Sequence, residues 1–196
     1  MKRERVFFQS CYNKENFGNL MVQEKKTKIG FDLDGVIVGR PPLVPKGLLE
    51  RLFRGTKDSG LIYRFPAGRS HQWLRKLSHH YFFRPPIKAN LAFLKKISQD
   101  PSFEIYLISG RYSFLAKETT RWLVKRELAG KVSEVFINET NLPPHIFKKK
   151  IIKKLGLDFY FEDDDQIVTF LREEIPQTKI YWVDNKSFDF FRIISQ

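Results

Sequence analysis

The chain is poor in cysteine and in long apolar runs, and each shortage excludes a class of protein. A single cysteine, Cys11, in 196 residues excludes an internal disulfide and indicates a reducing compartment. No apolar run approaches the roughly 20 residues that a membrane-spanning helix needs. Only Val-Phe-Phe follows the basic start Met1-Lys-Arg-Glu-Arg, which is far short of a signal-peptide core. We therefore expect a cytoplasmic protein without a membrane span.

Acidic residues are also in short supply, and the excess of positive charge is concentrated in one stretch. The sequence has 35 Lys and Arg against 22 Asp and Glu, a net charge of +13. Residues 38–100 hold thirteen Lys and Arg against three Asp and Glu, so they carry +10 of that total. A chain of 196 residues, of which 42% are hydrophobic, fits one domain with a well-filled core and a modest accessory segment.

The most informative segment runs from Ile29 to Ile37, where an apolar strand pattern meets two aspartates and a glycine. Asp32 and Asp34 come where the strand should end, and Gly35 allows the backbone to turn. Both carboxylates can then face the carboxyl edge of the sheet, where open α/β folds bind their ligands. Carboxylates among apolar residues need a cation or hydrogen bonds. This indicates one aspartate as nucleophile, the next as general acid/base and a magnesium ion between them. The alternative is a simple turn, since Asp and Gly are turn residues.

A second apolar strand begins at Phe103 and ends in Ser109-Gly-Arg111. The Ser109 hydroxyl and the Gly110 amide are candidate donors to a phosphate at the same sheet edge, helped if a helix starts at Tyr112. The alternative role for Ser109 is that of a helix N-cap.

A third apolar strand begins at Leu157 and closes on four consecutive acids, Glu162 to Asp165. Adjacent carboxylates repel one another, so a divalent cation is a natural compensation. Alternatively, the acids complement the dipole of a helix that starts near Asp165. We expect both roles, divided among the four acids.

The amphipathic helix before this strand carries three consecutive lysines, Lys148, Lys149 and Lys150. One lysine that reached the site would neutralise an aspartate–phosphate pair. Most lysines on such a helix face are solvated, so the pattern alone does not select one of the three.

Taken in chain order, these four segments resemble the haloacid-dehalogenase (HAD) superfamily of aspartate-nucleophile phosphohydrolases. The resemblance lies in strand-DxDG (Phe31 to Gly35), strand-SGR, a helical lysine and strand-EDD, and it spans residues 28 to 184. It implies an α/β fold with a doubly wound, mainly parallel sheet and a Rossmann-like core. The expected core comprises residues 27–38 and 87–196, with a small, mostly helical basic insertion at 39–86 and an irregular N-terminal arm at 1–26.

The resemblance also implies roles for individual residues. Asp32 resembles the nucleophile that becomes an aspartyl-phosphate, and Asp34 resembles the acid that protonates the leaving alkoxide and later activates water. Asp163 resembles the aspartate that completes a Mg²⁺ site with Asp32 and the backbone carbonyl of Asp34. The remaining candidates are the phosphate-binding residues Ser109, Gly110 and Lys148, the metal-binding or supporting acids Glu162 and Asp164, and the substrate-binding arginines Arg40 and Arg111.

Within the superfamily, an aspartate at the position of Asp34 goes with phosphatases and phosphotransferases, because a departing alkoxide needs a proton. The resemblance therefore implies a Mg²⁺-dependent phosphomonoester hydrolase acting on a small phosphorylated metabolite, a nucleotide or a nucleic-acid end. The alternative is a catalytically silent protein of the same fold that binds nucleic acid or another anionic partner. The intact pair Asp32 and Asp34 favours the enzyme, but the sequence does not separate a hydrolase from a phosphotransferase.

The basic insertion is where substrate preference is expected to lie, and three interpretations of it stay open. Its prolines and glycines predict two short helices, at 46–54 and 69–81. The segment either holds the anionic part of a substrate, or binds nucleic acid through charge and interleaved aromatic rings, or is a solvated surface. Candidates for the first role are Arg40, Arg64, Arg69 and Arg84. The histidines His71, His79 and His80 are interpreted as ordinary helix residues, because no further spaced ligand supports a zinc site.

Outside the insertion, the apolar patterns predict strands that alternate with helices. The strands are expected at 28–33, 103–108, 132–138, 157–162 and 179–183, and the helices at 87–98, 112–128, 147–155 and 165–174.

Overall fold

The computed structural model describes residues 25–41, 61, 65–66 and 68–183. Most of the expected N-terminal arm, the helix predicted at 46–54, and residues 184–196 of the expected core lie outside the described residues. Every helix in the described part is too short or too polar to span a bilayer.

The described residues contain five β-strands and five α-helices in nearly strict alternation. The strands are β1 (Thr27–Phe31), β2 (Phe103–Tyr112), β3 (Glu134–Asn138), β4 (Phe159–Glu162) and β5 (Lys179–Trp182). The helices are α1 (Arg69–Ser78), α2 (Lys88–Ile97), α3 (Ala116–Lys125), α4 (Pro144–Leu155) and α5 (Asp165–Glu174).

The five strands form one sheet in the order β3-β2-β1-β4-β5, and every pairing between neighbours is parallel. This confirms the predicted α/β fold with a Rossmann-like sheet. The chain runs outward on one side of β1 through β2 and β3, then crosses to the other side for β4 and β5. The carboxyl ends of β1 and β4 therefore flank a topological switch point, where open parallel sheets form a ligand-binding crevice.

Helices cover both faces of the sheet, because side chains alternate along each strand. On one face, Phe31 packs with Leu94 of α2 and Trp122 of α3. On the other face, Tyr160 packs with Ile152 of α4 and Leu171 of α5. The sheet is thus a buried layer between two pairs of helices, which is the doubly wound arrangement.

The insertion leaves and rejoins the core through a narrow stem beside the carboxyl end of β1. The amide of Gly39 donates to the carbonyl of Pro85 at 2.7 Å, and the amide of Ile87 donates to the carbonyl of Ile37 at 2.9 Å. The indole Nε1 of Trp122 donates to the carbonyl of Arg84 at 2.7 Å. These bonds fix the last residues of the insertion next to the turn that carries Asp34.

Two predicted boundaries were wrong at the carboxyl end of β2. The strand continues to Tyr112 instead of ending at 108, because it keeps pairing with β3 through a register shift between Ser109 and Tyr112. The following helix therefore cannot start at 112; a 3₁₀ turn (Ser113–Leu115) comes first, and α3 begins at Ala116.

Candidate active site

Asp32 lies at the centre of the crevice, directly after β1. Its amide donates to the carbonyl of Phe161 in β4 at 2.8 Å, so the backbone of Asp32 is tied to the neighbouring strand. Its side chain is almost completely buried. The position follows from the sequence, since β1 ends in the middle of the sheet where the strand order reverses.

Three carboxylates meet around Asp32. One oxygen from each of Asp32, Glu162 and Asp163 lies within 4.8 Å of the others, and no other such group of metal-ligating side chains occurs in the described part of the chain. Glu162 is the last residue of β4, and Asp163 follows it. Oxygen donors of this kind suit a hard divalent cation such as Mg²⁺. The donor set therefore fits the metal that the resemblance implies.

Gly35 allows Asp163 to approach the turn after β1. The φ of Gly35 is +77°, a left-handed conformation that side chains rarely adopt. A Cβ at this position would overlap the carboxylate of Asp163. The turn is closed by the amide of Val38, which donates to the carbonyl of Leu33 at 2.7 Å.

Lys148 is the lysine that reaches the carboxylates. Its Nζ lies 3.0 Å from an oxygen of Asp32 and donates to Glu162 at 2.6 Å, and the side chain is buried. Lys149 instead pairs with Glu174 at 2.6 Å near the surface, and Lys150 is exposed. Because α4 turns by 100° per residue, only one of three consecutive lysines can face the sheet.

The electrostatics of this cluster leave a deficit of positive charge. Burial raises the pKa of Asp32 to about 8, although Lys148 opposes the shift. Burial likewise raises the pKa of Glu162 and of Asp163, and repulsion from neighbouring carboxylates raises both further. Asp32 and Glu162 hold the pKa of Lys148 well above its usual range despite burial. Lys148 is thus the one buried cation of the described residues in contact with the three carboxyl groups, and Arg40 adds a charge only at the exposed rim, 4.0 Å from Asp163. A divalent ion would correct this imbalance.

Asp34 lines the same cavity, but its carboxylate belongs to a separate group of charges. Arg111 donates through Nε to one oxygen and through a terminal nitrogen to the other, both at 2.7 Å. Arg84 also donates to Asp34. Burial alone would raise the pKa of Asp34, but the two guanidinium groups hold it well below its usual range. The side chain of Asp34 does not join the three clustered carboxylates, so a contribution of its backbone carbonyl to a metal site stays a prediction.

Ser109 and Gly110 lie at the carboxyl end of β2, beside α4. Ser109 is buried inside the strand and its Oγ accepts a bond from the amide of Arg111 at 3.3 Å, so the alternative of a helix N-cap was wrong. Gly110 lines the cavity. A Cβ at Gly110 would come within 2.8 Å of Cβ of Pro144, which explains why glycine stands where the strand meets the helix.

The two remaining acids and Arg40 have distinct surroundings. Asp164 accepts a bond from the amide of Gln166 at 3.1 Å and caps α5. Asp165 is exposed in the first turn of that helix. The run of four acids is therefore divided between the carboxylate cluster and the helix terminus, as expected. Arg40 lies 4.0 Å from the carboxylate of Asp163, at the rim of the site.

The cavity above these groups has a volume of about 170 Å³ and extends toward the insertion. Sequence reasoning missed the residues of that side, namely Arg75, His79 and Tyr112. Arg75 lies in α1 and His79 is the residue that ends it, and their i, i+4 spacing places them on one face. That spacing was a usable signal, but nothing in the sequence shows that this face turns toward the site.

His79 was interpreted as an ordinary helix residue, and the structure corrects this. Its Nδ1 lies 2.8 Å from the carbonyl of Arg75. A carbonyl only accepts, so Nδ1 carries the proton and Nε2 is left as an acceptor. Burial, with Arg111 nearby, lowers the pKa of His79 to about 3. His79 is therefore neutral at physiological pH and offers a polar group rather than a charge to the cavity.

No protein-family model and no curated protein matches the chain. Solved structures do match it. A chain of the Pnkp1/Rnl/Hen1 RNA repair complex superposes with a TM-score of 0.53 at 17% identity, over 89% of this chain and 48% of that chain. The HAD-family enzyme BT-2542 from Bacteroides thetaiotaomicron was solved as an aspartate-to-alanine variant with magnesium and inorganic phosphate. It superposes with a TM-score of 0.54 at 12% identity, over 86% of this chain and 98% of that chain.

A protein from Thermotoga maritima, assigned as a beta-phosphoglucomutase, gives a TM-score of 0.54 at 13% identity, over 86% and 90% of the two chains. The likeness is one of fold. This chain has the fold of HAD-family enzymes, and it spans about half of the RNA repair chain but nearly all of the two enzymes.

Proposed function

We propose that the protein is a Mg²⁺-dependent phosphomonoester hydrolase that works through an aspartyl-phosphate on Asp32. The observation that carries this proposal is the contact of Lys148 with both Asp32 and Glu162 in a cavity that Asp163 also lines. A buried nucleophile, a fixed cation and two further carboxylates are a set suited to phosphoryl transfer, in which positioning and charge neutralisation supply most of the catalysis.

The reaction takes place in two displacements. In the first, an oxygen of Asp32 attacks the phosphorus, the bond from phosphorus to the leaving oxygen breaks, and Asp34 gives that oxygen a proton. In the second, Asp34 takes a proton from water, the water oxygen attacks the phosphorus, and the bond to Asp32 breaks to release phosphate. Lys148 stays charged throughout and stabilises the negative charge that passes between Asp32 and the phosphoryl group.

Because Arg84 and Arg111 lower its pKa, the carboxyl group of Asp34 is ionised. The ionised form can take a proton from water, as the second displacement requires. For the first displacement, Asp34 must first acquire a proton. A substrate dianion beside it raises its pKa through like charge and competes for the two guanidinium groups. The pKa of Asp34 is therefore higher when the cavity is filled, and proton transfer to the leaving oxygen becomes easier.

Asp32, Glu162 and Asp163 would hold the Mg²⁺, with the backbone carbonyl of Asp34 as a further ligand. When bound, the ion supplies charge neutralisation for the phosphoryl oxygens and keeps the clustered carboxylates ionised. Ser109 and Gly110 would bind the phosphoryl oxygens, and Asp164 would support Glu162, whose oxygen accepts from the amide of Asp164 at 3.3 Å. The complex of BT-2542 with magnesium and inorganic phosphate, in a protein of the same fold, supports this assignment.

The test is release of inorganic phosphate from p-nitrophenyl phosphate, with Mg²⁺ and with a chelator. We expect turnover only with the metal, and none in Asp32→Asn, because an amide is not a nucleophile for phosphorus. The matched control is Asp165→Asn, the same change in the same acidic run at an exposed position. Full activity in Asp32→Asn would remove the covalent mechanism, and turnover in chelator would remove the metal.

A second candidate function is binding of nucleic acid through the insertion, residues 39–86. The specific observation is that Trp73 and Phe82 expose 64% and 78% of their surface. Trp73 shares one face of α1 with the exposed cations Arg69 and Lys76, which are four residues before it and three after it. Exposed rings among positive charges are the stacking surfaces used for single strands. Two of the solved structures that share this fold are chains of the Pnkp1/Rnl/Hen1 RNA repair complex. The occurrence of the fold in an RNA repair complex supports this candidate.

This candidate is tested by the affinity for a single-stranded oligonucleotide across a range of salt concentrations. We expect the affinity to fall steeply with salt and to fall further in Trp73→Ala, whereas Val124→Ala, an exposed apolar residue of α3, should behave as the unchanged protein. Affinity that ignores both salt and Trp73 would remove the candidate.

A further inference from the structure

The cavity has two ends of different character. At one end are Lys148 and the carboxylates around Asp32, where the phosphoryl group would bind. The other end is formed by Arg75 of α1, by His79, which follows that helix, and by Arg111 and Tyr112 of β2. Asp34 lies between the two ends, because it follows Asp32 by two residues and is bound by Arg111. Arg75, His79 and Tyr112 have no role in the chemistry described so far.

Positive charge exceeds negative charge around Asp34, which borders the second end. Arg84 and Arg111 carry two charges against the single charge of Asp34, and both guanidinium groups are buried. Nε of Arg84 has no hydrogen-bond partner among the described residues. Arginine keeps its charge in such surroundings. A buried surplus of positive charge is unfavourable alone and favours an incoming anion.

Arg75 is held where it can contribute to binding from the insertion side. Its guanidinium carbon lies 6.0 Å from the ring centre of Tyr112, a cation–π contact. The ring of Tyr112 is fixed in turn by Phe65, with ring centres 5.1 Å apart in an edge-to-face arrangement. The side chain of Arg75 therefore depends on aromatic rings from both the sheet and the insertion for its position.

The leaving group of the substrate must occupy this end of the cavity. In the proposed reaction, Asp32 attacks the phosphorus from one side and Asp34 protonates the oxygen that departs. The atoms attached to that oxygen then extend past Asp34 toward Arg75, His79 and Arg111. We infer that the substrate is a phosphomonoester whose leaving group carries a second oxyanion, which Arg75 and Arg111 bind. This inference rests on the proposed function and adds the substrate class to it.

Two sources supply this chemistry, a small bisphosphorylated molecule and the phosphorylated end of a nucleic acid. The test therefore uses three probes with Mg²⁺ present: adenosine 3′-monophosphate, adenosine 3′,5′-bisphosphate and a trinucleotide with a 3′-phosphate. For each, kcat/KM for phosphate release is measured in the unchanged protein, in Arg75→Gln and in Arg121→Gln. Arg121 lies on α3 and is exposed, so its replacement changes net charge equally without altering the cavity or the insertion.

We expect the unchanged protein to prefer the probes with a second phosphate over the monophosphate. Arg75→Gln should reduce that preference by about 10- to 100-fold, the range for a hydrogen-bonded charge pair, whereas Arg121→Gln should leave the ratio as it is. A preference for the bisphosphate alone identifies a small substrate, and a preference for the trinucleotide identifies a nucleic-acid end. Equal rates for all three probes, or equal effects of the two variants, overturn the inference.

Failure of the proposed function gives a different pattern. If no probe releases phosphate, the same probes are titrated by calorimetry. If the bisphosphate binds more tightly than the monophosphate and the difference depends on Arg75 but not on Arg121, the oxyanion site is kept while the hydrolase is rejected. Binding without that difference overturns the inference as well.

Discussion

Arg111 binds both carboxylate oxygens of Asp34, through two nitrogens at 2.7 Å each. Its remaining terminal nitrogen donates to Thr119 of α3 at 3.1 Å. The guanidinium thus connects the turn after β1 to the helix after β2, and it fixes the orientation of the group assigned to proton transfer. A planar fork is needed for this, because a single ammonium cannot bind two oxygens and a hydroxyl in these positions.

Replacing Arg111 with lysine should therefore lower kcat/KM for p-nitrophenyl phosphate although the charge is kept. We expect a loss of about 10- to 100-fold from the misplaced carboxylate. Steady-state kinetics measures it, with Arg121→Lys, an exposed arginine of α3, as the control. Equal rates in both variants would show that only the charge of Arg111 matters.

Asp34→Asn should slow the hydrolysis of alkyl phosphates more than that of p-nitrophenyl phosphate. Nitrophenolate leaves without a proton, whereas an alkoxide requires one from Asp34. We expect the loss in kcat/KM to be about 100-fold greater for the alkyl ester, within the usual range of general acid catalysis. If both esters lost activity by the same factor, Asp34 would not be the proton donor to the leaving oxygen.

Gly35→Ala should weaken Mg²⁺ binding and destabilise the protein. The new Cβ is strained at a φ of +77° and overlaps the carboxylate of Asp163, which must move. Gly130→Ala is a matched control, since its φ is +78° but its Cβ would meet nothing within 4 Å. The control should lose only about 1 kcal/mol from backbone strain. Melting curves with and without Mg²⁺ separate the two effects; an unchanged response to Mg²⁺ in Gly35→Ala would contradict the assignment of Asp163 to the metal site.

Lys148→Met should nearly abolish phosphate release and lower stability, while Lys149→Met should do neither to a comparable degree. The first variant leaves Asp32 and Glu162 buried without their cation, a loss of about 3–5 kcal/mol for a broken buried pair. The second removes a partly exposed pair with Glu174, and ion pairs in contact with solvent contribute little to stability. Chemical denaturation and the phosphate assay measure both. Equal losses of stability and of phosphate release in the two variants would mean that Lys148 contributes no more to the site than Lys149 does.

Stabilisation by Mg²⁺ should increase with pH. Folding raises the pKa of Asp32 to about 8 and also raises that of Glu162 and Asp163. In the metal-free folded protein these three groups therefore retain protons that the unfolded chain loses above about pH 4, so their contribution to stability falls as pH rises from about 4 toward 8. Mg²⁺ binds the deprotonated cluster. The rise in melting temperature on adding Mg²⁺ should be larger at about pH 8 than at about pH 6, and a rise independent of pH would argue against a cation at these three carboxylates.

The sequence predicted the fold well because its signals were local. The apolar runs at 29–33 and 157–162 alternate with helical patterns, and that alternation is sufficient to indicate a parallel sheet with helices on both faces. The boundaries at the end of β2 were wrong because pairing with β3 extends the strand, and pairing partners are not visible in a local pattern. The predicted helix at 165–174 agrees in full, since Asp164 is an N-cap with an acidic first turn behind it.

The sequence by itself determined where carboxylates end strands and where a lysine helix follows, because spacing along the chain decides both. Only the tertiary structure decided that Lys148 and not its two neighbours faces Asp32, and that Glu162 joins the cluster while Asp164 caps a helix. It alone brought Arg75 and His79, separated by more than forty residues from Asp32, to the same cavity, and Arg84 to Asp34. The physical reason is that the rotation of a helix and the return path of an insertion depend on packing against the sheet, which no local pattern records.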